Sequence, residues 1–302
     1  MTILERSITN TDTRHDRLGR RVRFQRCPTG KRIILGARDS QILSWLYRYR
    51  FLQQSQLLAL LQPKSAKRFT ERLGDLYHET GYINRPTFQA SQFDCRCTSM
   101  LYELSEAGRG YLDALGQLPP RAVTMSRRTR RRYNPQYLHT MMIIEALLAV
   151  EIATRAIPDQ RFVPVDEILA KAPEPVRRAA NPLSVPVTIT PGERVPGLRS
   201  ALNTHLIPDA LYGIEYLIDG QKKYRFWALE CERTSPRRRN TIRASSTQLK
   251  QAAYDSLIQS RTFQRHWGIP NLKLRIVRRD RDRSTNFARL SGSGDADPVQ
   301  SV

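Results

Sequence analysis

The sequence is short of acidic residues and of cysteine, and each shortage excludes a class of protein. Asp and Glu number 28 against 50 Lys and Arg, which gives a formal net charge of +22 at pH 7. A protein this basic is expected to bind an anionic partner, and nucleic acid is the leading candidate. The few cysteines are too irregularly spaced for a zinc site or a disulfide framework: Cys27, Cys95, Cys97 and Cys231. We therefore expect reduced thiols in a cytoplasmic protein.

Long hydrophobic runs are missing as well. The longest apolar stretch, Met141 to Ile152, is interrupted by Glu145. It is shorter than the roughly 20 residues that an α-helix needs to span a bilayer. The opening segment contains no apolar stretch of the kind found in a secretory signal. Both observations predict a protein that does not contact membranes.

Several catalytic signatures are also absent. No Gly-rich loop followed by lysine is present, which argues against the use of ATP. The five histidines do not cluster, so a relaxase built on three histidines and a nucleophilic tyrosine is not indicated. His139 opens an apolar helical stretch, and we interpret it as a structural histidine.

The first half of the chain predicts a basic arm followed by a small helical domain. Residues 1–35 are rich in arginine, and we expect them to form a flexible arm. Residues 36–117 then show helical spacing behind Asp39, a second short helix over 55–61 and a third over 65–80, with Ser65 as its N-cap.

Two short strands and a further helix follow these three helices. Strands near residues 82–83 and 101–102 should pair as an antiparallel wing, and Ser105 should cap a helix to Leu115. Three helices followed by a hairpin form the element order of a winged helix-turn-helix, whose third helix lies in the DNA major groove.

The predicted third helix carries a basic solvent face. Lysine and arginine contact phosphates, and arginine also reads guanine with two hydrogen bonds. The candidate DNA-contacting residues here are Lys64, Ser65, Lys67, Arg68, Thr70, Glu71 and Arg72. A solvated helix in a protein-binding winged helix remains the alternative.

An arginine-rich linker separates the two halves of the chain. It spans residues 118–136, and we expect it to be disordered or to lie along a phosphate backbone. Its candidate DNA-binding residues are Arg127, Arg128, Arg130, Arg131 and Arg132.

The second half, residues 137–280, predicts an α/β domain. A buried helix over 137–155 is followed by an irregular insertion over 172–200 with one strand at 185–189. Strands over 210–218 and 224–229 then flank an Asp-Gly turn. A helix over 242–260 and a strand over 272–277 complete the domain, and we expect residues 281–302 to be disordered.

The order helix, strand, strand, helix, strand, with carboxylates at Glu145, Asp209 and Glu230, is that of a restriction-endonuclease-like core. Asp209 and Glu230, with Glu145 as a third ligand, could hold Mg²⁺ beside a scissile phosphate. Lys250 on the following helix could reach the same site and support an attacking water. Glu232 stands where such nucleases carry lysine, which argues against cleavage.

Three interpretations of this half remain open. It could be an inactive core that binds or dimerises, or a metal-dependent endonuclease that uses Asp209, Glu230 and Lys250. In the third interpretation Asp209 caps a turn, and Glu230 and Glu232 pair with Arg233 or Arg237. In each case a basic flank suited to phosphates follows the second strand: Arg237, Arg238 and Arg239.

The fragments together resemble the replication-relaxation family. In the first half of the chain the matching motifs are Asp39-x-x-Ile42-Leu43, Arg72-Leu73-x-x-Leu76-Tyr77-x-x-x-Gly81-Tyr82-Ile83 and Tyr102-x-Leu104-Ser105-x-Ala107-Gly108. The second supplies His139, Pro208-Asp209, Glu230-x-Glu232-Arg233-x-Ser235 and Lys250-x-x-x-Tyr254. The resemblance implies a DNA-binding role in replication, relaxation or mobilisation of a plasmid or other mobile element.

We therefore expect a cytoplasmic α+β protein with an N-terminal winged helix-turn-helix and a restriction-endonuclease-like α/β domain. Its expected partner is double-stranded DNA. Whether it forms a homodimer is left open, and DNA binding is favoured over catalysis. No cofactor is expected unless the second domain cleaves, in which case Mg²⁺ is required. A dimeric transcriptional repressor and a metal-dependent DNA endonuclease are the alternatives.

Overall fold

The computed structural model describes residues 22–90, 99–118, 137–192, 195, 197–232 and 247–278. The chain divides after Pro135 into two compact units, each of which combines helices with small sheets. The predicted α+β class is confirmed at this level. The arginines of the linker, the basic flank at 237–239 and the tail over 281–302 lie outside the described residues, so those predictions stay predictions.

The described residues of the first unit form four α-helices, a short 3-10 helix (Thr87–Gln89) and a three-stranded antiparallel sheet. The helices are α1 (Ala37–Tyr49), α2 (Gln54–Leu61), α3 (Ala66–His78) and α4 (Glu106–Ala114), and the strands are β1 (Phe51–Gln53), β2 (Ile83–Asn84) and β3 (Leu101–Leu104). β3 lies between β1 and β2. The three helices and the pairing of β2 with β3 agree with the prediction, whereas β1 was not predicted.

Helical spacing and caps explain why these segments fold as they do. The apolar face of α3 buries Phe69, Leu73 and Leu76, each with at most 3% of its surface exposed. The Ser65 hydroxyl accepts a hydrogen bond from the Arg68 N–H at 3.3 Å and so caps α3. Ser105 caps α4 in the same way through the Gly108 N–H at 3.0 Å.

Residues 22–35 differ from the flexible arm that the sequence predicted. The Cys27 N–H donates to His78 Nδ1 at 3.1 Å, and Cys27 is only 4% exposed. Arg26 donates to the carbonyl oxygens of Tyr77 and Ile83 at 3.0 and 3.1 Å. This segment therefore packs against the C-terminal end of α3, where Arg26 supplies a donor to the helix-end carbonyl of Tyr77.

In the part of the second unit that the structure describes, there are five helices and six strands. The helices are α5 (Tyr137–Arg155), α6 (Val165–Ala170), α7 (Glu174–Arg178), α8 (Thr247–Gln259) and α9 (Thr262–Trp267), and the strands are β4 (Gln160–Val163), β5 (Val185–Ile189), β6 (Leu202–Leu206), β7 (Ala210–Ile218), β8 (Gln221–Glu232) and β9 (Lys273–Arg278). The predicted helix at α5 and the strands at β5, β7, β8 and β9 are all present.

A mixed four-stranded sheet organises this unit. Its order is β4-β7-β8-β9, with β9 parallel to β8 and the other pairs antiparallel. β7 and β8 form the predicted hairpin, since Asp219 and Gly220 both take positive φ, at 52° and 71°. β5 and β6 form a separate antiparallel pair. The insertion over 172–200 is thus more regular than the sequence suggested, because it supplies α7 as well as β5.

Different helices pack on the two faces of the four-stranded sheet. Ile143 and Val150 of α5 pack on one face with Tyr212, Leu229 and Cys231. Successive residues of a strand point to opposite faces. The strand residues that alternate with these, such as Glu230 between Leu229 and Cys231, therefore point to the other face. Side chains of α8 reach the sheet on that face.

The buried carboxylate of α5 is not the one that the sequence indicated. Glu145 was expected on the buried stripe, yet it is partly exposed. Glu151 is instead 1% exposed and pairs with Arg155 one turn later at 3.1 Å. An ion pair within the helix offsets the cost of burying this charge.

None of the helices that the structure describes is long and apolar enough to cross a membrane.

Candidate functional site

Two surfaces bear on function, one in each unit, and the first is the exposed half of α3. Lys64, Lys67, Arg68 and Thr70 are exposed, whereas residues 75–78 at the other end of the helix are buried. The burial comes from residues 22–36, which cover only the C-terminal half. The helix thus presents a basic N-terminal half to solvent, with Ser65 at its cap.

Arg72 lies outside this exposed half. Its Nε and Nη2 donate to the two carboxylate oxygens of Asp39 at 2.8 and 2.6 Å, and Nη2 also donates to the Ile34 carbonyl at 2.6 Å. The hydrogen bonds to Asp39 raise the pKa of Arg72 further above its ordinary value. This bidentate pair joins α1 to α3. It is largely shielded from solvent on its acidic side, since Asp39 is 4% exposed. The sequence predicted Arg72 on the solvent face of α3. In the structure its guanidinium instead donates to Asp39 and Ile34 within the first unit.

The hairpin beside α3 is held by stacked arginines and aromatics. Ile83 of β2 pairs with Leu104 of β3. Arg85, directly after β2, places its guanidinium 4.3 Å from the centre of the Tyr77 ring. The residues at the hairpin tip, 91–98, lie outside the described part of the chain. The base of the hairpin is therefore fixed to the end of α3.

The second surface is a cluster of ionisable side chains in the second unit. Asp209 immediately precedes β7, and its Oδ2 accepts the Cys231 N–H of β8 at 2.8 Å. Its Oδ1 lies 3.1 Å from Nε2 of His139, at the start of α5. A backbone donor and a histidine thus fix the carboxylate at the end of the hairpin. Sequence reasoning missed the histidine as a partner of Asp209, although His139 was among the residues that carry the family resemblance.

Glu230 approaches the same place from the neighbouring strand. It lies between Leu229 and Cys231, which face α5, so it points to the opposite side of β8. There the Lys250 ammonium and the Tyr254 hydroxyl of α8 both donate to its carboxylate. Lys250 and Tyr254 are four residues apart and therefore lie on one face of α8.

The two carboxyl groups have opposite electrostatic surroundings. Burial and the nearby charge of Asp209 raise the pKa of Glu230 to about 7, despite the opposing effect of Lys250 and Tyr254. Burial also disfavours ionisation of Asp209. The bonds from His139 and the Cys231 N–H, with the charges of His139 and Lys250, nevertheless hold the pKa of Asp209 below its ordinary value. As the pH rises, Asp209 therefore loses its proton before Glu230 does.

These residues do not fit a divalent cation well. Both oxygens of each carboxylate already accept a hydrogen bond from a protein donor. No group of three or more His, Cys, Asp and Glu side chains that could hold a metal ion occurs within the described ranges, which include the predicted third ligand Glu145. The Lys250 ammonium already supplies a positive charge beside Glu230.

Glu232 adds a second ion pair at the edge of this cluster. Its Oε2 accepts the Arg278 Nε–H of β9 at 2.9 Å. The carboxylate that replaces the expected lysine is therefore balanced by an arginine from the adjacent strand. The cluster as a whole alternates acids with basic partners, which favours a structural ion-pair network over a metal centre.

Comparison with known proteins gives one match. The sequence model described as "Replication-relaxation" matches residues 43–272, which is most of the chain and extends from α1 to the start of β9. No curated protein and no solved structure matches the chain. The matched range includes both the exposed half of α3 and the Asp209–Glu230 cluster. The chain therefore belongs to the replication-relaxation family.

Proposed function

We propose that this protein binds duplex DNA of a plasmid or another mobile element through a winged helix-turn-helix formed by its first unit. In this fold the N-terminal residues of the recognition helix contact base edges in the major groove. The supporting observation is that α3 is exposed and basic only in its N-terminal half, where Lys67 and Arg68 lie, with exposed Lys64 just before the Ser65 cap.

The buried half of α3 supports the same proposal. A recognition helix has to be held rigidly, since contacts to bases need positions fixed to a fraction of an ångström. The Asp39–Arg72 pair and the bonds from Arg26 and Cys27 supply that rigidity. The antiparallel pairing of β2 with β3, and the contact of Arg85 with Tyr77 of α3, support the interpretation of this hairpin as a wing.

The role of each exposed side chain follows from its chemistry. Arg68 has the planar donor fork that recognises guanine O6 and N7. Lys64 and Lys67 carry compact charges suited to phosphate oxygens. Thr70 is held by Gln54 of α2, whose Nε2 lies 2.9 Å from the Thr70 hydroxyl, so α2 also helps to position this face.

The test is a selection of duplexes by the purified full chain from a random library, followed by titration of the selected site. Arg68→Ala is expected to weaken binding to that site by about tenfold or more, which is the usual cost of losing a bidentate base contact. Its binding to an unrelated duplex should change much less. The matched control is Arg177→Ala, another exposed arginine, in the second unit. Equal affinity of Arg68→Ala and the parent chain for the selected site would refute the assignment of α3.

The second unit fits a restriction-endonuclease-like core that has lost cleavage. The order of α5, the β7–β8 hairpin, α8 and β9 supports the likeness to such a core, and the ion pair of Glu230 with Lys250 supports the loss of cleavage. We expect supercoiled plasmid to be bound but not nicked by the full chain with Mg²⁺ or Mn²⁺. Metal-dependent nicking that Asp209→Ala abolishes would instead establish an endonuclease.

A further inference from the structure

We propose that the exposed part of the sheet face on which α5 packs carries a second nucleic-acid site. It binds an unpaired strand by stacking a base on the exposed portion of Trp227 and contacting its phosphates with Lys223, Arg225, Lys273 and Arg275. This site lies in the second unit and does not depend on the assignment of α3. The proposal rests on the sheet register, on the aromatic geometry and on the charge of this face.

A row of aromatic rings crosses three strands of the sheet. Phe162 of β4 and Tyr212 of β7 stack with their ring centres 5.7 Å apart and their planes 9° apart. Tyr212 and Trp227 of β8 stack at 5.4 Å and 10°. Phe162 and Tyr212 are buried, whereas Trp227 is partly exposed. The row therefore ends on an indole ring that solvent reaches.

The next strand has no aromatic residue to continue the row. The β9 residue in register with Trp227 is Lys273, which is exposed. A nucleic-acid base could extend the row there as a fourth ring, and every base has a face suited to such stacking. The bases of a duplex already stack on one another, so this contact favours an unpaired strand.

Positive charge surrounds Trp227 on this face. Lys223 and Arg225 precede it on β8 at spacings of two residues, so all three point to the same side. Lys273 and Arg275 lie opposite Trp227 and Leu229 on β9. All four basic residues are exposed, and among the described residues none of them pairs with a carboxylate. Arg275 donates a hydrogen bond to the Tyr212 hydroxyl at 3.3 Å.

None of the described strand residues on this face is acidic. The β7 residues opposite the four on β8 are Tyr216, Ile214, Tyr212 and Ala210. The acidic residue of β7, Glu215, points to the opposite face, where Arg161 and Lys222 pair with it. The charges run along β8 from Lys223 to the level of Leu229, a distance of roughly 20 Å at the rise of a β-strand. That length suits several successive phosphates, and charge complementarity selects nucleic acid as the occupant.

Intrinsic tryptophan fluorescence provides a direct test. The chain has three tryptophans, and Trp45 and Trp267 are buried at 9% and 0% exposure. Titration with a thymidine 12-mer should therefore quench the emission of Trp227 selectively, and Trp227→Phe should remove that quenching. Trp227→Leu should weaken binding of the 12-mer by about tenfold, since a base–aromatic stack contributes about 1–3 kcal/mol. Thermal unfolding of both variants shows whether the unit remains folded.

Charge variants make the test independent of the core residue Trp227. Lys223→Ala with Arg225→Ala should weaken binding of the 12-mer and lower its salt dependence by about 1.4 in slope, at about 0.7 per phosphate contact on a single strand. Lys171→Ala with Arg177→Ala, which removes two exposed charges elsewhere in the unit, should leave both unchanged. A uridine 12-mer alongside the thymidine one identifies whether RNA or DNA is preferred, and quenching by either strand supports the site.

Three results would overturn the proposal. The first is binding of both 12-mers without any quenching that Trp227→Phe removes, because the strand would then lie elsewhere. The second is equal weakening of a 12-base-pair duplex and of the single strand by the charge variant. The third is displacement of the 12-mer by poly-glutamate at the same charge concentration, which would indicate an acidic protein as the occupant.

Discussion

Replacing Glu230 by glutamine should change how the stability of the second unit depends on pH. Glu230 is 5% exposed, and its burial near Asp209 raises its pKa from 4.5 to about 7. An acid with a raised pKa binds its proton more tightly in the folded state than in the unfolded state. Its contribution to stability is therefore complete below pH 4.5 and is lost as the pH rises to about 7.

The size of the effect follows from the shift. At 1.36 kcal/mol per pKa unit, the shift of Glu230 corresponds to about 3 kcal/mol of unfolding free energy, most of it lost between about pH 5 and pH 7. Glutamine keeps the shape and can still accept from Tyr254, but it carries no charge at any pH. The Glu230→Gln variant should therefore lack this loss, so its stability relative to the parent should rise between pH 5 and pH 8.

The assay is urea unfolding at a series of pH values in the presence of EDTA. A Trp45→Phe background restricts the fluorescence signal to the second unit, where Trp227 and buried Trp267 report unfolding. The difference in unfolding free energy between parent and variant should change by about 2–3 kcal/mol from pH 5 to pH 8. A difference that stays constant across this range would refute the argument, because Glu230 would then titrate alike in both states.

Two further predictions concern the first unit. Arg72→Met should cost about 3 kcal/mol of unfolding free energy because it leaves the buried Asp39 carboxylate unpaired, whereas Arg68→Met should change stability by less than about 0.5 kcal/mol; equal costs in urea unfolding would contradict the structural role of Arg72. Gly108→Ala should destabilise the unit by about 1–3 kcal/mol, since its Cβ would lie 2.2 Å from the Tyr82 carbonyl oxygen. Gly110→Ala, on the same helix with open space around it, should be neutral or slightly stabilising, and thermal unfolding of the pair tests this contrast.

Elements with strong periodicity or clear caps were predictable from the sequence. α3 followed from the spacing of Phe69, Leu73 and Leu76 behind the Ser65 cap, and the β7–β8 turn followed from Asp219-Gly220. β1 was not predictable in the same way. It has three residues and forms only because β3 offers it a partner, and a pairing between segments so far apart in the chain leaves no local pattern.

The role of individual charges was harder to predict than the elements that carry them. A run of arginines indicates exposure, yet Arg26 and Arg72 donate to carbonyl and carboxylate groups within the first unit. Lys250 was expected to reach the site of Asp209 and Glu230, and the structure places it against Glu230. Its position there as an ion-pair partner depends on how α8 packs on the sheet, which spacing along the chain does not specify.

The most direct test of the central claim is the salt dependence of duplex binding by α3. Fluorescence anisotropy of a labelled duplex, titrated at several salt concentrations, gives the slope of log K against log salt for the parent chain and for Lys64→Ala with Lys67→Ala. Two lost phosphate contacts should reduce the slope by about 1.8, at about 0.9 per contact on B-form DNA. The charge-matched control, Lys171→Ala with Arg177→Ala, should keep the parent slope. An unchanged slope in the α3 variant would contradict the claim that the exposed half of α3 lies against duplex DNA.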